Sequence, residues 1–301
     1  MRELTDDTLL ALVRPFIHER TFWLYRFNAA TGALLNVYPF TSAFGTVQFY
    51  PSHLLPVAAD SSLVVVGGSR AKTILAINNK KKPLDDVRVR RAIASAIDRK
   101  AVIEGAGDGY GSPIGSHYVP GALGYVDTTG INPFNIEKAR ALLAEAGIKT
   151  PLELSLKLPP PPYARQGGEV IAAQLAKIGI IAKIENVEWA QWLSGTFTNK
   201  NYDLTIISHV EPFDLGNYAK PGYYWGYESP QFNALFEKIQ NAPRVADRAK
   251  LLGDAQRMLA NDSVNAYLYQ PQWITVADKN LKGLWKDMPI FVNDVAALAW
   301  A

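Results

Sequence analysis

From residue 62 to residue 277 the hydrophobic pattern of the chain switches repeatedly between two periods, and this alternation most constrains what it can fold into. Short β-branched or alternating runs at Leu63–Val66, Thr73–Ile77, Leu152–Leu158, Ile180–Glu185, Leu204–Ser208, Ala266–Tyr269 and Ile274–Ala277 read as strands. Between them, 3.6-period patterns predict helices over Ile136–Ala146, Gly168–Ile178, Trp189–Thr198, Pro230–Gln240 and Ala246–Ala260, the first two closed by Gly147 and Gly179. The most regular pattern sets Asp85 or Asp86 as N-cap before Val89, Ala92, Ile93, Ala96 and Ile97, at offsets 0, 3, 4, 7 and 8. It predicts a helix over 86–99 with one buried face and Arg88, Arg90 and Arg91 mostly on the other. Strands interleaved with helices imply an α/β layered domain.

The first seventy residues read differently. Leu9, Leu10 and Val13 suggest a short helix, and Phe22–Phe27 with Leu34–Tyr38 suggest a β-hairpin turning at Asn28–Gly32. With 301 residues the chain has room for two domains or one large one, and it can bury a core without a disulfide or metal staple. The absence of cysteine excludes thiol nucleophiles, Cys-ligated zinc and iron–sulfur clusters. A net charge of +3 supplies no large field for nucleic acid. No apolar run is long enough to insert into a membrane, and the acidic start through Glu3, Asp6 and Asp7 lacks the pattern of a signal peptide.

Most motifs that could carry chemistry fail on spacing. The glycines of Gly105–Gly111 recur at every second position after a helix, which fits neither a dinucleotide fingerprint nor a P-loop and reads as a plain loop. His18, His53, His117 and His209 are isolated in sequence, so no metal site is expected. GxSxG is absent, and the adjacent acids Asp85 and Asp86 read as a helix cap, so no catalytic residue is assigned. Tyr202–Asp214 differs in kind: a buried strand runs into polar residues and then Tyr218, Tyr223, Tyr224, Trp225 and Tyr227. Ligands of open α/β sheets bind where strands end. Glu211 and Asp214 there can hold an ammonium group while the rings contact apolar parts of its carrier. An aromatic core with ordinary loop acids fits the same residues.

Three segments, Asn78–Arg99 (NNKKKPLDDVRVRRAIASAIDR), Asn135–Gly147 (NIEKARALLAEAG) and Glu169–Trp189 (EVIAAQLAKIGIIAKIENVEW), together resemble the extracellular solute-binding proteins of family 5 in order and spacing. These are the peptide- and nickel-type receptors of bacterial ABC importers, and the ending Asn280–Trp285 resembles that family's C-terminus. The resemblance implies a type II periplasmic-binding-protein lobe, a mixed sheet with flanking helices, at 71–267. It also implies a partial, aromatic β-rich first lobe at 1–70 and a segment at 268–301 that returns to it. Residues 1–60 are then expected to pack near Ile274–Ala277. Since family members usually carry most of another lobe ahead of the matching region, the chain is expected to be truncated, rearranged or a single domain. The implied function is reversible capture of a peptide or other small polar or cationic solute, outside the cytoplasm, for ABC importer membrane subunits, without cofactor or catalysis. A hydrolase of peptides or sugars and a non-binding remnant lobe are the alternatives. Matching family contacts residue by residue gives Tyr163, Trp189, His209, Val210 and Glu211 as ligand-binding, with Asp214 beside them. The pattern departs at His209, where peptide-binding members carry an aromatic-x-x-acid step, and the acid here comes one position early.

Overall fold

A computed structural model describes the backbone of residues 8–13, 21–28 and 34–41, and residues 62–278, 280–287 and 294–301, with side chains from 67 onward except at 276 and 278. The chain divides into two compact units: Met1–Val65 with Ile274–Gly283 and Ala297–Ala301, and Val66–Trp273 with Leu284–Ala296.

In the first unit, strands β1 (Thr8–Val13), β2 (Thr21–Asn28) and β3 (Leu34–Thr41) form an antiparallel sheet in chain order. The hairpin of β2 and β3 is the expected one, but residues 8–13 are extended and pair with β2 instead of forming a helix. Six apolar-rich residues do not distinguish the two periods, and pairing from Thr8↔Asn28 to Val13↔Trp23 supplies the backbone partners that one helical turn would lack. The expected packing of residues 1–60 near Ile274–Ala277 concerns side chains outside the described residues.

The larger unit takes up the end of β4 (Ser62–Gly68) from residue 66 and continues with β5 (Lys72–Ile77), α1 (Val87–Ala96), α2 (Arg99–Gly107), β6 (Gly111–Pro113), α3 (Ile136–Glu145), β7 (Leu152–Leu158), α4 (Pro162–Ala176) and β8 (Ile180–Asn186). There follow α5 (Trp189–Gln191), running into a π-helical turn at Trp192–Thr198, then β9 (Leu204–His209), α6 (Pro230–Gln240), α7 (Val245–Asp262) and β10 (Asn265–Asp278), which leaves the larger unit after Trp273. A last pair, β11 (Leu281–Lys282) and β12 (Ala299–Trp300), belongs to the first unit. The large sheet has the order β4-β10-β5-β9-β7-β8, with β6 paired to β10. β5 is antiparallel to β10 and β9, whereas β7 is parallel to β9 and β8, so the sheet is mixed.

Both faces of this sheet are covered, and the two-residue period of its strands sorts side chains between two cores. On one face Leu75, Ile77, Leu204 and Ile206 pack with Val89, Ile93 and Ile97 and with residues of α2, α3 and α4. On the other, Ile74, Ala76 and Ile207 meet an aromatic core of Tyr202, Tyr218, Tyr224, Trp225, Tyr267 and Phe232.

The helix expected over 86–99 is two helices. Asp86 caps α1 by accepting from Arg88 N at 2.8 Å, and Asp98 caps α2 by accepting from Lys100 N and Ala101 N; Ile97 between them is extended yet buried. Arg90 departs from its expected solvent face. It is buried and donates to the carbonyls of Leu84, Asp85, Asp262 and Ser263, supplying partners for the carbonyls at the end of α7. Gly105 and Gly107, expected in a loop, close α2. α4 starts at Pro162, six positions before the expected Gly168, because proline is favoured at a first helical position although it breaks the apolar period. Gly179, at φ +81°, ends the α4 region where expected. The two strands expected at 266–269 and 274–277 are parts of the continuous β10.

Ile93 has no exposed surface and sits at the centre of the α1 contact with the sheet. Replacing it with alanine is expected to lower stability by about 2–5 kcal/mol, measured by urea denaturation. A neutral result would contradict this packing.

Candidate functional site

The parallel strands β7, β8 and β9 end on the same edge of the sheet, and each delivers an expected site residue. After Leu158, four prolines lead to Tyr163 in the first turn of α4. After Asn186 the chain reaches Trp189 at the start of α5, and β9 ends at His209 before the loop Val210–Asp214. Antiparallel β5 starts at this edge, and its register sets Lys72 opposite His209.

The loop is organised from below by a buried ion cluster. The Lys72 ammonium, 2% exposed, donates to Asp214 Oδ1 at 2.6 Å and to the Glu211 backbone carbonyl at 2.5 Å. Asp214 Oδ2 lies 2.8 Å from His117 Nε2 and 3.1 Å from His209 Nδ1. The remaining ring nitrogens face tyrosines: Tyr218 OH is 3.0 Å from His117 Nδ1, and Tyr224 OH is 3.0 Å from His209 Nε2. Asn265 donates to Tyr218 OH and accepts from Ile77 N, which ties the cluster to the backbone of β5.

Burial sets the charge states. Burial alone would raise the Asp214 carboxyl, but His117, His209 and Lys72 together hold it well below the usual carboxylate range. Burial drives the His117 imidazole down to about 4, against the pull of Asp214, so it is neutral at pH 7. An ionised carboxylate only accepts, so His117 Nε2–H donates to Asp214, and Nδ1 accepts from the Tyr218 hydroxyl.

Glu211 stands apart. Its side chain is 66% exposed, and its Oε2 lies 3.9 Å from His209 Nδ1. Aromatic surface extends from it. The Tyr223 hydroxyl is raised by burial and by the charges of Asp214 and Glu211; its ring meets Phe197 at 5.7 Å, and Phe197 meets Tyr224 at 5.3 Å and Trp192 at 6.0 Å. Trp192 holds its place by donating from its indole N–H to Thr205 Oγ1 at 2.9 Å, and Trp189 lies edge-on to it at 5.9 Å. Burial pushes the Tyr163 hydroxyl up to about 12, offset in part by a backbone hydrogen bond at Ser208. Val210 and Phe213 are exposed on the loop.

Tyr163, His209, Val210 and Glu211 therefore meet at one strand end, and Trp189 joins them through the rings of Trp192 and Tyr224. Asp214 is positioned differently from the expected ligand carboxylate: it is buried, and the ammonium it holds is that of Lys72. The histidines, isolated in sequence, are not isolated in space, since the rings of His117 and His209 lie 5.0 Å apart. His117, His209 and Asp214 offer three atoms close enough together for a metal ion, but Lys72 already supplies the positive charge at Asp214. Sequence reasoning missed Lys72 and the role of His117, and it had Tyr218 only as one of the rings beside the site, not as the hydrogen-bond partner of His117. A lysine at the head of an apolar strand was the available signal for the first; the pairing of His117 with Asp214 and Tyr218 had none.

The model of the bacterial extracellular solute-binding proteins, family 5 (middle region), matches residues 45–234. The chain belongs to this family. Among family 5 relatives, the dipeptide-binding protein of Escherichia coli K12 is 38% identical over 69% of this chain and 42% of its own length. The heme-binding protein A of Haemophilus influenzae is 29% identical over 67% of this chain and 38% of its own length. The chain thus spans well under half of either relative. Two solved structures share the type II periplasmic-binding-protein fold. HbpA2 from Haemophilus parasuis has a TM-score of 0.75 at 18% identity, over 98% of this chain and 64% of that one. The oligopeptide-binding protein AppA from Bacillus subtilis, in complex with a nonapeptide, has a TM-score of 0.72 at 17% identity, over 97% and 66%.

The cluster makes stability depend on pH. Unfolded, His117 takes a proton near its ordinary 6.5; folded, only near 4, so the unfolded chain binds more protons between these values. Stability is expected to fall as pH drops from about 6.5 through 4, with Asp214 adding loss below the ordinary carboxylate value. Urea denaturation at about pH 7.5, 5.5 and 4.5 measures this, and His117→Gln is expected to flatten the change between the first two.

Proposed function

We propose that the larger unit, with its core at 71–267, is the ligand-binding lobe of a family 5 receptor. It captures a peptide or another small polar or cationic solute reversibly, outside the cytoplasm, for the membrane subunits of an ABC importer. One observation carries this reading. At the carboxyl ends of three parallel strands stands an exposed carboxylate, Glu211, next to aromatic surface, while Asp214, the other charge of its loop, is neutralised from below by Lys72 of β5. A ligand ammonium meets Glu211, and apolar groups of the ligand lie against Tyr223, Phe197 and Trp189, with Tyr163, His209 and Val210 around the strand end. Asp214 acts from beneath, as counter-ion to Lys72. The naming of the Escherichia coli relative for dipeptide binding supports a ligand with a free amine.

Capture without turnover fits the chemistry of the cluster. His117 and Asp214 resemble a base with its orienting acid, but both ring nitrogens of His117 are engaged, by Asp214 and Tyr218, and the ring is fully buried. Neither nitrogen is placed to take a proton from a substrate.

Free-amine di- and tripeptides, amino acids and amines are expected to include a ligand that raises the melting temperature of the protein, because binding to the native state alone stabilises it. Glu211→Gln is expected to weaken that ligand by roughly 1.5–3 kcal/mol in calorimetry, the cost of removing the charged half of the hydrogen-bonded pair. Equal affinity in variant and parent would exclude Glu211 as the amine anchor.

A further inference from the structure

We propose that Lys72 is a positioning residue for ligand capture, its buried ammonium clamping the Val210–Asp214 loop at two points so that the Glu211 carboxylate is presented in one place. The proposal rests on the reading of Glu211 as the amine anchor.

The geometry is that of a clamp. Lys72 is in the first position of β5, opposite the last residue of β9, so its side chain rises beneath the segment that leaves the sheet. One nitrogen bonds the Glu211 carbonyl at 2.5 Å and the Asp214 carboxylate at 2.6 Å, and thereby joins the backbone of one loop residue to the side chain of another three positions on. Along this loop the side chains of Val210, Glu211 and Phe213 are exposed, Phe213 to 87%, so the loop has little apolar burial of its own to hold it. A clamp from below substitutes for that burial.

The energetics favour a role in geometry over one in stability. Burying an ammonium and a carboxylate costs several kcal/mol per ion before their attraction repays it, and apolar replacements of such pairs are often neutral or stabilising. The charge pattern points the same way. Asp214 is neutralised by Lys72, and His117 is neutral, which leaves the Glu211 carboxylate exposed to meet a cation. An apolar residue at 72 would leave the Glu211 carbonyl without this donor and leave Asp214 as a second anion close by, so the site would lose both a fixed position and a defined charge.

Lys72→Met combined with Asp214→Asn removes both ions together and leaves no lone buried charge. The dipeptide alanyl-phenylalanine and its N-acetyl form are the probes, because a purely structural defect weakens both, whereas a displaced Glu211 weakens only the free amine. The double variant is expected to melt cooperatively, to lose about tenfold of its preference for the free amine, and to lose little more when Glu211→Gln is added. In the ligand-free protein, its amides at 210, 211, 213 and 214 are expected to exchange with deuterium about tenfold faster than the parent's, while those of β7 do not change. Should the double variant fail to fold, Lys72→Arg, which keeps the charge but moves the donors, is expected to give the same losses in smaller measure. Unchanged amide exchange, an unchanged amine preference, or losses that simply add to those of Glu211→Gln would overturn the proposal. If the dipeptide does not bind the parent, the amine-anchor reading fails for that ligand class, and amide exchange still decides the clamp.

Discussion

An ammonium closed off from water has to find its hydrogen-bond acceptors inside the protein, and around Lys72 that requirement organises one whole edge of the sheet. Its donors reach Asp214 and the Glu211 carbonyl; Asp214 in turn takes His117 and His209, and these take Tyr218 and Tyr224. The chain of contacts crosses from β5 to β9, to the loop beyond it, and to the segment around His117. Each member satisfies the next, which is the condition under which a buried polar network rigidifies a core instead of weakening it.

The network depends on the sheet. Register between β5 and β9 sets Lys72 against His209, and the same register sends Ile74 and Ile207 to the aromatic side while Leu75 and Ile206 go to the helical side. A slip by one residue would exchange the two cores and carry Lys72 into the apolar contact with α1. Burial and site geometry are therefore one constraint. The strands that carry function cannot shift without disrupting the helices that cover them.

The sheet also separates the helical framework from the strand end. The framework elements α1, α3 and α4 pack on the face away from the aromatic core. His209 and Glu211 lie at the strand end, beside the ion pairs of the other face.

Most of the fold was legible in the sequence, because hydrophobic period and capping are local. Asp86, Gly147 and Gly179 mark boundaries within a turn of where the structure has them, and β7 and α6 run over the expected residues. Where local signals conflicted, contacts decided: residues 8–13 became a strand by pairing, Ile97 and Asp98 split one helix into two, and Arg90 turned inward to the end of α7. At the site, Tyr163, Trp189, His209, Val210 and Glu211 could be named by resemblance to the family, and for Glu211 the strand end before it pointed the same way. Asp214 and Tyr218 could be named but not understood, and His117 could be named only as an isolated histidine. Their roles rest on which atoms face each other across strand register and a returning loop, and a hydrogen bond between residues 117 and 214 leaves no trace in the periodicity around either.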